Sequence, residues 1–250
     1  MRAIDHHAWT NRWRDRHPAE KLLPALGLLS LTLFLPPLTT APLALAGAAL
    51  ATVRGAGVPL RALVAVMAAP LAFLLAGAPF LAISLRFDEG FSVGFSPAGG
   101  RLALDATLRA LAATGCLAFL ILTTPLADWV PLLRRAGVPA GLIELILLIY
   151  RLIFVFAERA LTGHRAQTAR LGYSRLGCGL RSAGLLAGNL FQRALAQARR
   201  LEIGLAARGY EGELRVLTPA RPLSWLRLTA GMTGVGFIGV AGGLLAHASP

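Results

Sequence analysis

Charged residues are scarce in this chain, and their scarcity excludes an ordinary soluble protein. Only 15% of the 250 residues are charged, whereas 56% are hydrophobic. A soluble protein of this size needs many more charges on its aqueous surface, so the composition is typical of a polytopic membrane protein. Cysteine is scarce as well. Cys116 and Cys178 are the only two, and they give no support to a disulfide framework.

Motifs of catalysis and cofactor binding are also missing. The chain has no GxxxxGK[ST], HExxH, GxSxG or CxxC pattern, so we do not expect it to bind ATP through a P-loop. The neighbouring His6 and His7 point apart on a helix, and no third ligand near them completes a metal site, so a solvated tail explains them better. We expect no catalytic residue, no metal site and no cofactor bound by this chain.

Five apolar runs predict an all-α polytopic membrane protein with about five transmembrane helices. A bilayer core needs about 20 helical residues, and two of the runs are shorter than that. The short runs are expected either to cross with help from their flanks or to form a re-entrant hairpin together. We favour crossing, because both flanks carry Arg or Lys on the same side. The short runs are 22–35 and 42–53, and the long runs are 62–85, 102–127 and 223–246.

The distribution of basic residues predicts the orientation. The N-terminal segment and the loops 54–61 and 128–139 are basic, whereas the loop 36–41 has no charge. The positive-inside rule therefore places the N-terminus in the cytoplasm. Residues 1–21 mix acidic and basic side chains, which a signal peptide does not, so we interpret them as a retained cytoplasmic tail.

The apolar run 140–157 is the ambiguous one. It is apolar enough to cross the membrane, but it leads into a strongly basic stretch that a crossing would place outside. We favour a helix that lies against the inner ends of the membrane helices or between them, with a further crossing as the alternative. The sequence thus predicts four segments: a cytoplasmic tail (1–21), a four-helix transmembrane part (22–127), a cytoplasmic arginine-rich part (128–221), and a last transmembrane helix with a short tail (222–250).

The cytoplasmic block 128–221 carries fourteen arginines and six acidic residues, a net charge of +8 within a chain total of +13. Helical periodicity is predicted over 174–208. Such a block binds anionic lipid, nucleic acid or a soluble acidic partner. Nucleic acid is disfavoured because aromatic side chains do not alternate with the basic ones. Some arginines are expected to contact anionic lipid, and Arg208, between the small residues Ala207 and Gly209, is expected to enter a groove of a partner.

Several stretches resemble one known family. "IDHHAWTNRWRDRHPAEKLL" is similar to its opening segment and "TTPLADWVPLLRRAGVPAGLIELILLIYRLIFVFAER" to its central signature. "AQTARLGYSR" and "GLAARGYEG" resemble its two short Ala-Arg-Gly motifs. The chain therefore resembles the transmembrane T component of energy-coupling factor (ECF) transporters, most closely the cobalt-associated CbiQ branch.

This resemblance implies a coupling subunit of an importer in the bacterial plasma (inner) membrane. Two cytoplasmic helices end in the motifs, and each end docks on one P-loop ATPase subunit (CbiO-like) that carries the ATP. The other implied partners are a substrate-binding membrane subunit (CbiM-like) and a small accessory membrane subunit. The first motif has Leu171 where glycine is expected, which predicts a differently shaped helix end. The implied coupling residues are Ala169, Arg170, Ala207, Arg208 and Gly209, and the supporting residues are Gln167, Gly172 and Tyr210.

Two other functions remain open from the sequence. A membrane-embedded enzyme could grip lipid phosphates with its arginines, and a scaffold could hold other membrane proteins together. The enzyme is disfavoured because no acidic cluster for a metal accompanies the arginines. Cobalt is favoured as the transported ion by the resemblance alone, with nickel or another substrate as the alternatives.

Overall fold

The computed structural model describes residues 2–86, 92–95, 97–210 and 221–248. The chain divides into two compact units. Unit 1 combines Met1–Trp129 with Pro219–Pro250, and unit 2 is the intervening Val130–Thr218. The four predicted segments divide the chain by its location relative to the membrane, whereas the two units divide it by internal contacts. The four segments therefore stay a prediction.

Helices make up nearly all of the described residues. They are α1 (Arg2–Thr10), α2 (Ala19–Phe34), α3 (Pro37–Leu50), α4 (Leu60–Ala82), α5 (Pro97–Thr123), α6 (Val130–Arg135), α7 (Ala140–Ala169), α8 (Leu176–Ala206) and α9 (Trp225–Ala248). A π-helical turn, Ala51–Gly55, continues α3, and a 3-10 turn, Leu126–Trp129, follows α5. The predicted all-α class is confirmed, with one small exception.

That exception is a hairpin after α4. The helix ends at Ala82, earlier than the predicted run 62–85, and Ile83–Arg86 form strand β1. This strand pairs antiparallel with β2, Ser92–Phe95. The order Ile-Ser-Leu-Arg alternates apolar and polar side chains, which suits a strand better than a helix. The last residues of the predicted helix are therefore extended.

Proline sets several helix boundaries. Leu35 is extended after α2, because a following proline disfavours helical backbone. Pro37 is the first residue of α3, a position where its missing N–H costs nothing. Helix α5 likewise begins at Pro97 and ends at Thr123, so it is shifted towards the N-terminus relative to the predicted run 102–127.

The core of unit 1 surrounds α5, which packs against α1, α2, α3 and α4, while α9 packs against α2 and α3. Small residues let these helices approach closely. A Cβ atom added to Gly231 of α9 would lie 2.7 Å from Pro24 Cγ of α2. The buried small residues of the main cluster are Ala25, Ala41, Ala44, Ala48 and Ala112.

The N-terminal segment is not a free extension. Ala8 of α1 is buried, and Asn11 Nδ2 donates a hydrogen bond to Thr123 O at 3.2 Å. His6 is exposed and His7 is partly buried. The segment expected as a solvated tail therefore packs on α5, and its cytoplasmic location stays a prediction.

Four described helices are long and apolar enough to cross a membrane: Leu60–Leu81, Pro97–Thr123, Ala140–Ala169 and Trp225–His247. Three of them match the long predicted runs. Helices α2 and α3 have only 16 and 14 residues, fewer than the roughly 20 that a span requires. The short runs thus form short helices, and their crossing stays a prediction.

Unit 2 contains α6, α7 and α8. Helix α7 continues from the apolar run 140–157 through the basic stretch to Ala169 as one helix of 30 residues. The helix predicted over 174–208 is confirmed as α8. The location of α7 against the inner ends of the membrane helices stays a prediction.

Candidate functional site

Helices α7 and α8 run antiparallel and are joined at both ends. Near the turn between them, Gln167 Nε2 donates a hydrogen bond to Ser182 O at 2.9 Å. At the other end, the Tyr210 hydroxyl donates to Glu144 Oε2 at 2.9 Å. The first contact joins the end of α7 to the start of α8, and the second joins the start of α7 to the residues after α8. The carboxyl ends of the two helices therefore lie at opposite ends of the pair.

The carboxyl end of α7 closes with two characteristic hydrogen bonds. The Gly172 N–H donates to Gln167 O at 2.9 Å, and the Leu171 N–H donates to Thr168 O at 3.0 Å. These are the two bonds of the Schellman motif, with Arg170 as the last residue before the left-handed position. Leu171 occupies that position with a φ of +60°, where a side chain costs about 1–2 kcal/mol.

The carboxyl end of α8 closes in the same way. The Tyr210 N–H donates to Leu205 O, and the Gly209 N–H donates to Ala206 O, both at 3.1 Å. Gly209 has a φ of +71°, and a Cβ atom added to it would meet nothing within 4 Å. Arg208 is thus also the last residue before a left-handed one, and here glycine fills that position without strain.

Arg170 and Arg208 therefore occupy equivalent positions. The displaced glycine of the first motif predicted a differently shaped helix end, and that prediction is wrong. Leu171 adopts the backbone conformation that Gly209 adopts in α8. The backbone closure is shared, although the residue at its left-handed position differs.

Both arginines are exposed. So are the small residues before them, Ala169 and Ala207. Neither guanidinium forms an ion pair with another of the described side chains. An arginine presents a rigid fork of donors that suits carboxylates, so each helix end offers a cation to another molecule.

The predicted supporting residues use their polar groups inside unit 2. The Tyr173 hydroxyl donates to Gln167 Oε1 at 2.8 Å, and Ser182 Oγ donates to Gly172 O at 2.9 Å. Gln167 in turn reaches α8 through Ser182, and Tyr210 reaches α7 through its hydroxyl. These residues shape the two ends, and sequence reasoning missed Tyr173 and Ser182. Contact of Gln167, Gly172 or Tyr210 with a partner stays a prediction.

Helix α8 exposes a large apolar surface. None of its 31 residues is buried, and α7 buries only Ile143. An uncovered apolar surface of this kind marks an interaction site. Unit 2 therefore offers apolar side chains as well as cations to other molecules. The most exposed large ones on α8 are Leu176, Leu180, Leu185, Phe191 and Ile203.

Unit 1 holds a polar cluster that the sequence did not predict. Asp128 forms ion pairs with Arg14 at 3.1 Å and with Arg221 at 2.6 Å. Beside it, Lys21 is only 1% exposed and donates to Thr123 O at 2.8 Å. Burial lowers the pKa of Lys21 to about 8, although the Asp128 carboxylate opposes the shift. This cluster ties the N-terminal segment to the residues that precede α9.

Potential metal ligands do not gather in the parts of the chain that the structure describes. No three His, Cys, Asp or Glu side chains lie close enough there to hold a metal ion. Cys116 is buried in α5, Cys178 is exposed on α8, and both are free thiols. What the two helix ends offer chemically is one exposed cation each, beside the exposed apolar side chains of α8.

Comparison with known proteins gives a consistent result. A family model described as "Cobalt transport protein", CbiQ, matches residues 10–219. The chain is 45% identical over 243 residues to the cobalt transport protein CbiQ of Rhodobacter capsulatus, covering 97% of this chain and 98% of that protein. It is 31% identical over 228 residues to CbiQ of Salmonella typhimurium, covering 86% and 100%. Over 104 residues, 42% of this chain, it is 38% identical to a fused cobalt transport protein, CbiMQ, of Methanocorpusculum labreanum, of which it covers 17%.

Proposed function

Because this chain belongs to the CbiQ family of cobalt transport proteins and forms a membrane component of a cobalt transporter, we propose that it is the coupling (T) subunit of an ECF importer. In this role it binds no nucleotide and catalyses no reaction. It passes the motion of two ATPase subunits to the membrane subunit that binds the cobalt ion. Arg170 and Arg208 are the residues through which the ATPase subunits move this chain.

The observation that carries the proposal is the equivalence of the two arginines. Each follows the last turn of a long helix, is exposed, and precedes a left-handed residue. The Schellman bonds satisfy carbonyl groups that would otherwise be left open at the helix end. Each end is therefore an ordered, protruding helix terminus that carries one positive charge. Such a terminus fits a groove lined by carboxylates.

The separation of the two ends supports docking on two separate ATPase subunits. Helix α8 has 31 residues, which at 1.5 Å per residue is about 46 Å. Since α7 and α8 are antiparallel, Arg170 and Arg208 lie at opposite ends of this length. Each therefore meets its own P-loop ATPase subunit (CbiO-like), with the ATP bound there. Closure of the ATPase pair moves both ends of the α7–α8 pair.

The surface of α8 and one relative support a further membrane partner. The exposed apolar side chains of α8 contact the substrate-binding membrane subunit (CbiM-like), and a small accessory membrane subunit completes the importer. The name of the fused relative CbiMQ supports a CbiM-like partner. Other arginines contact anionic lipid. The chain crosses the bacterial inner membrane several times, with its N-terminus in the cytoplasm.

Co-purification tests this role. The tagged chain is expressed with its ATPase subunit as wild type, as Arg170→Glu/Arg208→Glu, and as the control Arg181→Glu/Arg199→Glu. The control makes the same charge change at exposed arginines within α8. ATPase bound in mild detergent is then measured. Loss of a desolvated charged contact costs about 2–5 kcal/mol, so the first double variant should lose the ATPase and the control should retain it.

Two outcomes would contradict the proposal. If both double variants retain the ATPase, the two helix ends are not the docking points. If the wild type itself binds no ATPase, the chain is not a coupling subunit, and a scaffold or a lipid-phosphate enzyme becomes the better interpretation. Insertion of every variant is checked by its yield in the membrane fraction.

A further inference from the structure

A cavity of about 420 Å³ lies inside unit 1, between α2, α3, α5 and α9. This volume falls within the roughly 300–1,000 Å³ of small-molecule sites. Leu28, Phe119, Val235 and Ile238 give it apolar walls over most of its length. Gly234 also lines it, and a Cβ atom added there would meet nothing within 4 Å. The space suits a hydrocarbon chain.

One end of the cavity is charged. Arg16, Glu20 and Arg227 line it there. The Arg16 guanidinium stacks 4.1 Å above the Trp13 ring, and Arg227 Nη1 lies 3.9 Å from Glu20 Oε2. The two guanidinium groups and the one carboxylate together leave an excess of one positive charge. Burial and the nearby Arg227 lower the pKa of Arg16, so an anion between the two cations would relieve their repulsion.

Glu20 gives a second, independent indication of a ligand. Its side chain is only 2% exposed. Its Oε1 accepts a hydrogen bond from the Ser224 N–H at 2.7 Å, whereas its buried Oε2 has no hydrogen-bond partner among the residues that the structure describes. A buried acceptor without a donor is costly. A ligand that carries a hydroxyl group would supply that donor.

We propose that this cavity binds one anionic phospholipid, with an acyl chain along the apolar walls and its phosphate between Arg16 and Arg227. A head-group hydroxyl donates to Glu20 Oε2. A single negative charge matches the excess of one positive charge, so a phosphatidylglycerol head group fits better than a zwitterionic one. The bound lipid fills the space that α2, α3, α5 and α9 enclose. This site does not depend on the coupling role of Arg170 and Arg208.

The acyl-chain part is tested by filling the cavity. Gly234→Leu places a side chain in the open space, and Gly236→Leu is the matched control. Gly236 is in the same helix, has equally open surroundings, and does not line the cavity. The full chain is delipidated in detergent and titrated with phosphatidylglycerol, and bound lipid is counted by native mass spectrometry. Wild type and Gly236→Leu should each bind one lipid. Gly234→Leu should bind it at least about tenfold more weakly, because the new side chain fills the position of the acyl chain.

The head-group part is tested by charge and by lipid type. Arg227→Gln should weaken phosphatidylglycerol binding about fivefold, the value expected for one cation at a membrane surface. Arg61→Gln, at an exposed arginine of α4, should leave binding unchanged. Phosphatidylethanolamine should bind more weakly than phosphatidylglycerol, and free glycerol phosphate should not compete, because it has no acyl chain. Unfolding temperatures without lipid show that each variant is folded.

Four results would overturn the proposal. Equal lipid retention by Gly234→Leu and Gly236→Leu would indicate general surface lipid only. Competition by glycerol phosphate would indicate an anion site without a lipid chain. Equal binding of phosphatidylethanolamine would remove the preference for an anionic head group. Lipid bound by the isolated chain but absent from the assembled transporter would mean that a partner helix occupies the cavity.

Discussion

The ends of α7 and α8 close with the same hydrogen bonds but are built from different residues. At the α7 end, Leu171 is left-handed and Gly172 is crowded, since an added Cβ atom would lie 2.8 Å from Ser182 Oγ. At the α8 end, Gly209 is left-handed and its surroundings are open. The position of the glycine in each motif therefore depends on local crowding. The position of the arginine depends on the backbone hydrogen bonds that close the helix.

The two ends also differ in how firmly they are held. The α7 end is tied to α8 through Gln167, Tyr173 and Ser182. The α8 end is tied to α7 through the exposed hydrogen bond between Tyr210 and Glu144. The two equivalent arginine positions are thus held by unequal sets of contacts. Substitutions can separate the docking role from the support.

Separate charge reversals are expected to have the largest effect. Arg170→Glu and Arg208→Glu should each weaken ATPase binding by about 2–5 kcal/mol, because each leaves a partner carboxylate unpaired. The measurement is a titration of the ATPase onto the detergent-solubilised chain, with Arg181→Glu as the control. A loss with only one of the two variants would show that the shared closure does not mean shared docking.

Crowding at the α7 end predicts the next largest effect. Gly172→Ala should destabilise unit 2 by about 1–3 kcal/mol, because the new methyl group overpacks the turn. Ser182→Ala should rescue it only in part, since Gln167 O still lies 2.9 Å from the added Cβ position. Thermal unfolding in detergent measures both, and Gly184→Ala in open space is the control. An unfolding temperature equal to that of Gly184→Ala would contradict the crowding.

Exchange of the left-handed residues predicts effects of opposite sign. Gly209→Ala should cost about 1–2 kcal/mol, since an L side chain is disfavoured there. Leu171→Gly should stabilise the α7 end by up to about 1 kcal/mol, because relief of that strain exceeds the entropy cost of glycine. Leu171 is 75% exposed, so little packing is lost. Unfolding temperatures that shift in the same direction would argue against the shared closure.

The smallest effects are expected from the two tyrosine hydroxyls. Tyr173→Phe removes a part-buried hydrogen bond to Gln167, and Tyr210→Phe removes an exposed one to Glu144. Such bonds contribute about 0.5–1.5 kcal/mol, and more when a buried acceptor is left open. Tyr173→Phe should therefore lower the unfolding temperature more than Tyr210→Phe does. The reverse order would mean that the α8 end is the more firmly held.

Much of the fold could be predicted from the sequence, because it depends on apolar runs and proline. The long runs predicted α4, α5 and α9, and the periodicity over 174–208 predicted α8. Short runs and run ends were less informative. Ile83 to Leu85 were predicted as part of a helix yet pair as a strand, since strand pairing depends on residues elsewhere in the chain.

The sequence proposed residues for the site, whose docking role stays a prediction, but it did not predict the shape of the two helix ends. The resemblance pointed to Arg170 and Arg208, and the displaced glycine then suggested two unlike ends. Backbone hydrogen bonds decide that question, and no residue type alone encodes them. Tyr173 and Ser182 were missed because their contacts cross a turn between two helices. The ion pairs of Asp128 with Arg14 and Arg221 were missed because the partners are far apart in sequence.

Those distant ion pairs have a consequence for synthesis of the chain. In unit 1, the Asp128–Arg221 ion pair and the hydrogen bond from the Ser224 N–H to Glu20 both need residues that lie just before α9. The ribosome makes about 5–20 residues per second, so roughly 5 to 20 s pass between Trp129 and Trp225. During that time the residues of unit 2 are synthesised. Asp128 does not yet have Arg221 as a partner, and Glu20 does not yet have its amide donor. Synthesis of the residues just before α9 thus supplies the last of these partners to unit 1.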